Sequence, residues 1–191
     1  MRTPALFLDR DGVINVDIGY ACRPDQIQFV DHIFQLVAEA NARGYKVFVI
    51  TNQAGIGRGY YTEADFHALT AWIHEQFEQA GGHIERTYFC PHHPEHGVGA
   101  YRVDCACRKP EPGMLLQAAS EYDIDVAHSI FIGDKRSDMQ AGQRAGVGTL
   151  LYLGDEADFA SGVQITTPRD AIDWLRPPPP DAPTTAYMRH S

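Results

Sequence analysis

Three short apolar runs limit what this chain can fold into more than any other feature. They are Ala5-Leu6-Phe7-Leu8, Tyr45-Lys46-Val47-Phe48-Val49-Ile50 and Ser129-Ile130-Phe131-Ile132. Each is rich in β-branched or aromatic side chains and closes on polar residues, the pattern of a strand buried on both faces. The stretches between them have a helical period. Residues 31–43 carry Ile33, Phe34, Leu36, Val37 and Ala40 on one face, with Asp31 at the start and Gly44 as the stop. Thr62 followed by Glu63 and Asp65 reads as a capped helix start, with Phe66, Leu69, Ile73 and Phe77 turned inward and Gly81-Gly82 ending the helix. Residues 113–122 and 137–145 read as helices, 87–89, 149–153 and 163–165 as strands, and 168–175 as a last helix. Residues 15–24 read as a loop or short hairpin, and the glycine-rich 54–61 as irregular. Strands alternating with helices predict an α/β chain: a doubly wound, mostly parallel Rossmann-like sheet with helices on both faces.

The length of 191 residues fits one domain, expected over 1–176, and the proline-rich 177–191 is expected to be a disordered tail. A net charge of −9 argues against a broad basic surface for nucleic acid. No apolar run spans a bilayer, and the start lacks a secretory pattern because Asp9 interrupts its apolar stretch. The expectation is a cytoplasmic monomer with no membrane or nucleic-acid partner. The four cysteines then need a role other than disulfides.

Each of the three strands ends in a polar cluster: Asp9 and Asp11, then Thr51 and Asn52, then Asp134 with Asp138. In a doubly wound sheet such ends meet at one edge. Arg108-Lys109 precedes a helix and adds cations. Carboxylates, a hydroxyl and a lysine in one crevice suit phosphoryl transfer through an aspartyl phosphate. A carboxylate nucleophile must approach a dianion, so Mg²⁺ held by Asp9, Asp134 and a backbone carbonyl would offset the repulsion. Thr51 and Lys109 would donate to the phosphoryl oxygens. Asp11 would protonate the leaving alkoxide and then take a proton from water. Asp138 reads as a carboxylate at a helix start.

Cys90-Pro-His92-His93 and Cys105-Ala-Cys107 form two short ligand pairs, and three thiols with one imidazole suit a closed, structural Zn²⁺ site in the loop 90–107. His92 is taken as the ligand, with His93 the second choice. Cys22 remains as a packed thiol. Zinc would fix the adjacent Arg108 and Lys109, serving catalysis by position alone.

Asp9-x-Asp11-Gly12, Thr51 at the second strand's end, Lys109 before a helix and Gly133-Asp134-x-x-x-Asp138 occur in this order. Together they resemble the motifs of the haloacid-dehalogenase-like (HAD) phosphatases. The resemblance implies Asp9 as nucleophile, Asp11 as acid/base with its carbonyl on the metal, Thr51 and Lys109 as phosphoryl contacts, Asp134 as metal ligand, and Asp138 as an indirect or alternate metal contact. Val13 stands where many members have Thr, at a position expected to face the core. Family cap domains follow the first or second motif, and neither gap here has room for one.

The longer strings Asp9-Arg-Asp-Gly-Val-Ile-Asn, Thr51-Asn-Gln-Ala-Gly-Ile-Gly-Arg-Gly, Cys90-Pro-His-His-Pro, Cys105-Ala-Cys-Arg-Lys-Pro and Gly133-Asp-Lys are similar to those of the heptose 1,7-bisphosphate 7-phosphatase branch. That similarity implies removal of the 7-phosphate in making nucleotide-activated heptose. It also implies substrate contacts at Asp17, Ile18, Gly19, Tyr20, Asn52, Gln53, Ala54, Arg108 and Lys135, with Ala54 standing where Ser is common. Arg108 would meet the distal phosphate with its guanidinium fork. Histidinol-phosphate phosphatase, or another small sugar-phosphate phosphatase, is the alternative. A phosphoacceptor domain is a third reading, but it would not need an acid two residues after the nucleophile.

Overall fold

A computed structural model describes residues 2–154 and 162–176. The expected tail at 177–191 lies outside the described residues. Six strands form one sheet: β1 (Ala5–Leu8), β2 (Lys46–Asn52), β3 (Arg86–Cys90), β4 (Ile130–Gly133), β5 (Thr149–Leu153) and β6 (Val163–Ile165). Their order is β3-β2-β1-β4-β5-β6 and every pair is parallel. The chain steps outward from β1 to β3, then returns to lay β4 on the free side of β1. That reversal puts a crevice at the carboxyl ends of β1 and β4, where open α/β sheets take ligands.

Side-chain alternation divides the apolar runs between two cores. Leu6, Leu8, Val47, Val49, Ile130 and Ile132 pack in one; Phe7, Phe48, Ile50 and Phe131 pack in the other. Helices α1 (Ile33–Ala42), the short α2 (Ala54–Gly57) and α3 (Glu63–Gln79) follow in the first half of the chain, and α4 (Gly113–Tyr122) and α5 (Arg136–Ala145) in the second. Helices α1 and α3, with the 3-10 segment Pro168–Trp174, bury their apolar faces on the first side; α4 and α5 bury theirs on the second. Phe7 centres the second core, with ring centroids 5.7 Å from Phe48 and 6.5 Å from Phe131. Truncating it to alanine would cost about 3–5 kcal/mol. Val13 is fully buried, as expected.

Several boundaries differ from the sequence reading. Helix α1 starts at Ile33 behind His32, which has a positive φ of 67° and makes no side-chain cap, so Asp31 does not cap it. Thr62 does cap α3, exchanging hydrogen bonds with Asp65. Residues 54–57 are helical rather than irregular because their glycines allow close packing. A Cβ on Gly57 would lie 2.4 Å from the Pro91 carbonyl oxygen. The last helix is 3-10 throughout. The loop after β1 does pair back, with Val16 N–H donating to Gln28 and Val30 N–H to Ile14. Among the described residues no segment builds a cap domain, and no helix is long and apolar enough to cross a membrane.

Candidate active site and metal centre

Strand β1 delivers Asp9 to the crevice, its N–H still paired with the Ile132 carbonyl at 3.0 Å. The chain then turns tightly, with Ile14 and Asn15 N–H groups donating to the Arg10 carbonyl. Gly12 makes the turn with φ 92°, and a Cβ there would come within 2.0 Å of the Asp134 carboxylate. A side chain at position 12 would therefore fill the space between the first and last motifs. Gly133 serves the same purpose one strand over, since its Cβ would sit 2.2 Å from that of Asp138.

Asp9, Asp134 and Asp138 bring carboxylate oxygens within 4.8 Å of one another. Burial, only partly offset by Lys109, pushes the Asp9 carboxyl up to about 7, with Asp138 and Asp134 adding to the rise. Burial likewise raises Asp134 to about 6, against the pull of Lys135. One Asp134 oxygen is buried without a partner. Crowded, under-neutralised carboxylates with an unpaired oxygen are what a hard divalent cation would complete.

Lys109 is the counterweight. Its Nζ lies 2.9 Å from Asp9 and 2.6 Å from Asp138, and it donates to the Ile50 carbonyl at 2.7 Å. Burial alone would lower the Lys109 pKa, but Asp138 and Asp9 together raise it, so the ammonium stays charged. Asn52 pins this residue by donating to its carbonyl and accepting from its N–H, both at 3.0 Å. Asp138 is the carboxylate at the start of α5. One oxygen caps α5 through Lys135 N–H, and the other holds Lys109. With both oxygens engaged, Asp138 supports Lys109 and the other two carboxylates remain for a cation.

Asp11 is held apart from this group. Arg10, 2% exposed, spans both Asp11 oxygens, with its closest contact at 2.8 Å. Asn15 and Gln53 donate to the same carboxylate at 3.0 and 3.1 Å. The Gln53 amide also donates to Thr51 Oγ1 at 2.8 Å, and its oxygen accepts from the Tyr61 hydroxyl. Burial raises the Tyr61 hydroxyl to about 12, so it remains a donor.

The crevice offers about 40 Å³ of cavity volume and is lined by Asp9, Asp11, Thr51, Asn52, Lys109, Lys135, Ser137 and Asp138. Ligand pockets for drug-sized molecules run to roughly 300–1,000 Å³. This one suits a phosphoryl group, with the rest of a substrate outside. The other expected contacts surround it. Asp17 pairs with Lys135 at 2.9 Å and accepts from Gly19 N–H. Ile18 and Tyr20 are exposed on the loop at 15–24, the flap over the crevice, with Tyr20 edge-on to Tyr60 at 4.7 Å. Ala54 opens α2, and Arg108 donates to the His92 carbonyl at 3.1 Å, outside the crevice wall. The sequence reading passed over Arg10, Asn15, Tyr61 and Ser137. A visible signal existed only for Arg10, a charge between two acids in an otherwise apolar segment.

A second ligand cluster lies beside the crevice. Cys90 ends β3 opposite Asn52 of β2, and its carbonyl accepts from Gln53 N–H. The Cys107 sulfur lies 3.0 Å from Cys90 and 3.2 Å from Cys105, while His92 Nδ1 is 3.4 Å from Cys107 and 3.6 Å from Cys90. Tetrahedral zinc, bonding sulfur at about 2.3 Å, needs sulfurs roughly 3.8 Å apart. The observed set is slightly tighter but has the right donors. Burial raises the Cys90 and Cys107 thiols. His93 turns away; its Nδ1 accepts from Glu95 and His96 N–H groups.

The family model described as HAD-hydrolase-like matches residues 106–174. A D-glycero-alpha-D-manno-heptose-1,7-bisphosphate 7-phosphatase of Burkholderia mallei is 51% identical, over 95% of this chain and 98% of its own. The D-glycero-beta-D-manno-heptose-1,7-bisphosphate 7-phosphatase of Vibrio cholerae is 48% identical, over 92% and 97%. Among solved structures, the D,D-heptose 1,7-bisphosphate phosphatase of B. bronchiseptica complexed with magnesium and phosphate superposes with a TM-score of 0.78. It is 29% identical, and the match covers 90% of this chain and 97% of that one.

Proposed function

The chain belongs to the heptose-1,7-bisphosphate 7-phosphatase family within the HAD-like hydrolases, and from that premise we propose that it hydrolyses the 7-phosphate of D-glycero-D-manno-heptose 1,7-bisphosphate. The observation that carries the reading is the crevice itself. A buried nucleophile, Asp9, is paired with a buried ammonium, Lys109, beside a separate carboxylate, Asp11, on the same wall.

An Asp9 oxygen attacks phosphorus, and the bond from phosphorus to the C7 oxygen breaks. Asp11 gives its proton to that oxygen, and the heptose 1-phosphate leaves as an alcohol. Asp11 then takes a proton from water as the water attacks the aspartyl phosphate. The bond to Asp9 breaks, and inorganic phosphate is released. Thr51 and Lys109 hold the equatorial phosphoryl oxygens; Lys109 gives up its contact with Asp9 to do so. Mg²⁺, bound by Asp9, Asp134 and the Asp11 carbonyl, would neutralise charge on phosphate and nucleophile. Zn²⁺ would be held by Cys90, His92, Cys105 and Cys107, in a closed site that anchors Arg108 and Lys109. Asp17, Ile18, Gly19, Tyr20, Asn52, Gln53, Ala54, Arg108 and Lys135 face or support the sugar and its distal phosphate. The reading takes the protein to be a monomer that acts in the cytoplasm.

The flap favours a bisphosphate over the amine of histidinol phosphate. Asp17, the carboxylate best placed for an amine, is already paired with Lys135. Steady-state kinetics on both heptose bisphosphate anomers beside histidinol phosphate test the reading. The expected result is a kcat/KM for one heptose anomer far above that for histidinol phosphate; the reverse order overturns it.

A further inference from the structure

Arg10 is the largest fully buried side chain among the described residues, and no step above uses it. Burying a guanidinium is costly unless its donors are matched. Its Nε and Nη2 are matched to both Asp11 oxygens, at 2.8 to 3.2 Å, while Nη1 is buried without a partner. Such a group is committed to one carboxylate rather than to general cohesion.

The direction of approach matters. Arg10 lies on the core side of the turn, with its guanidinium carbon 5.9 Å from the centre of the Phe66 ring, beside a small void lined by Ile14, Val49 and Ile73. Asp11 lines the crevice and Arg10 does not. Nη2 also donates to the Ala21 carbonyl at 3.1 Å, at the base of the flap. A planar fork gripping both oxygens from behind stops the carboxylate rotating, which a lysine's single point charge cannot do.

We infer that Arg10 is a positioning residue for the proton carrier: it locks Asp11 from the core side so that one oxygen faces the leaving group, and it ties the flap to the same lock. This rests on the reading of Asp11 as proton carrier.

The test uses the leaving group. Heptose bisphosphate expels an alkoxide and needs a proton; p-nitrophenyl phosphate expels a stable phenolate and does not. Positioned acid catalysis is worth about 10²–10⁴-fold. Arg10→Met should therefore lower kcat/KM for heptose bisphosphate about 100-fold and leave that for the aryl phosphate nearly unchanged. Arg10→Lys should fall between, and it carries the same comparison if the methionine variant does not fold. Adding Arg10→Met to Asp11→Asn should cost little more on heptose bisphosphate. Equal losses on both substrates, no loss, or additive losses would overturn the inference. If Asp11→Asn itself lowers both substrates equally, the reading of Asp11 fails as well. If Asp11→Asn is selective for heptose bisphosphate and Arg10→Met is not, only the role of Arg10 is lost.

Discussion

The crevice and the cysteine cluster are neighbours built on opposite principles. The crevice gathers oxygen ligands from the ends of β1, β2 and β4 and an ammonium from the segment before α4, and it stays open on one side. The cluster gathers sulfur and one imidazole nitrogen from the end of β3 and the loop that follows it, a set of four donors that would fill a tetrahedral zinc. Like charges crowd in the crevice and are only partly offset by Lys109, so its charge state can change with ligand and pH. The thiols are crowded too, and ionising them onto a bound zinc would remove the conflict. One region is made to exchange its contents, the other to hold a shape. They meet at Cys107-Arg108-Lys109, where the closed site ends and the open one begins.

The comparison is broken first by removing the nucleophile. Asp9→Asn should abolish turnover, on the order of 10⁵-fold or more, with no acid-stable phosphoenzyme trapped. Asp11→Asn should still permit some phosphoenzyme. A phosphoacceptor domain would instead keep its chemistry in the Asp11 variant.

Next comes the closed site. Cys105→Ser, or stripping by a chelator, should remove the metal and lower Tm by about 10 °C, given that 1 kcal/mol shifts a chain of this size by roughly 2–4 °C. Phosphatase activity should fall with it and should not return on adding Mg²⁺ alone. Full activity in the stripped protein would show that the two regions are independent.

A smaller effect follows from the raised carboxyls. Burial pushes Asp9 to about 7 and Asp134 to about 6. Unfolded aspartates titrate near 4, so between these values the native state holds more protons than the unfolded chain. The stability of the metal-free protein should therefore fall as pH rises from about 4 to 7, by at most about 1.4 kcal/mol per pH unit for each group. Mg²⁺ should raise Tm little at pH 5 and more at pH 8. A Mg²⁺ shift that shrinks as pH rises would contradict this account.

The smallest effect sharpens the ligand assignment. His93→Ala should retain the cluster's metal, because His93 only braces the turn at Glu95 and His96. His92→Ala should lose it. Metal content by elemental analysis separates the two variants.

The parts of the site that were legible in the sequence are those with short spacing or a strand in front of them. Cys90-x-His92 and Cys105-x-Cys107 announced a ligand set by proximity alone. Asp9, Thr51 and Asp134 were marked because each follows an apolar run whose direction and burial were evident. Less legible was anything decided by packing. The sequence Ala54-Gly-Ile-Gly looks like a loop and becomes a helical turn because Gly57 must slide against the Pro91 carbonyl. His32, not Asp31, precedes α1, because the chain enters that helix through a left-handed residue. Arg10 and Tyr61 carry no motif of their own, and their meaning lies in what they touch.

By itself, the sequence determined the alternation of strands and helices, the strand-end polar clusters and the composition of both donor sets. These follow from hydrophobic period and residue chemistry, which are local. Tertiary structure alone decided that Asp11 is gripped by Arg10 while Asp9 is paired with Lys109, and that Asp138 serves both α5 and Lys109. Those choices depend on which side chains the strand order brings within about 3 Å of each other. The reversal between β1 and β4 is a property of the whole sheet, and no short stretch of the chain encodes it.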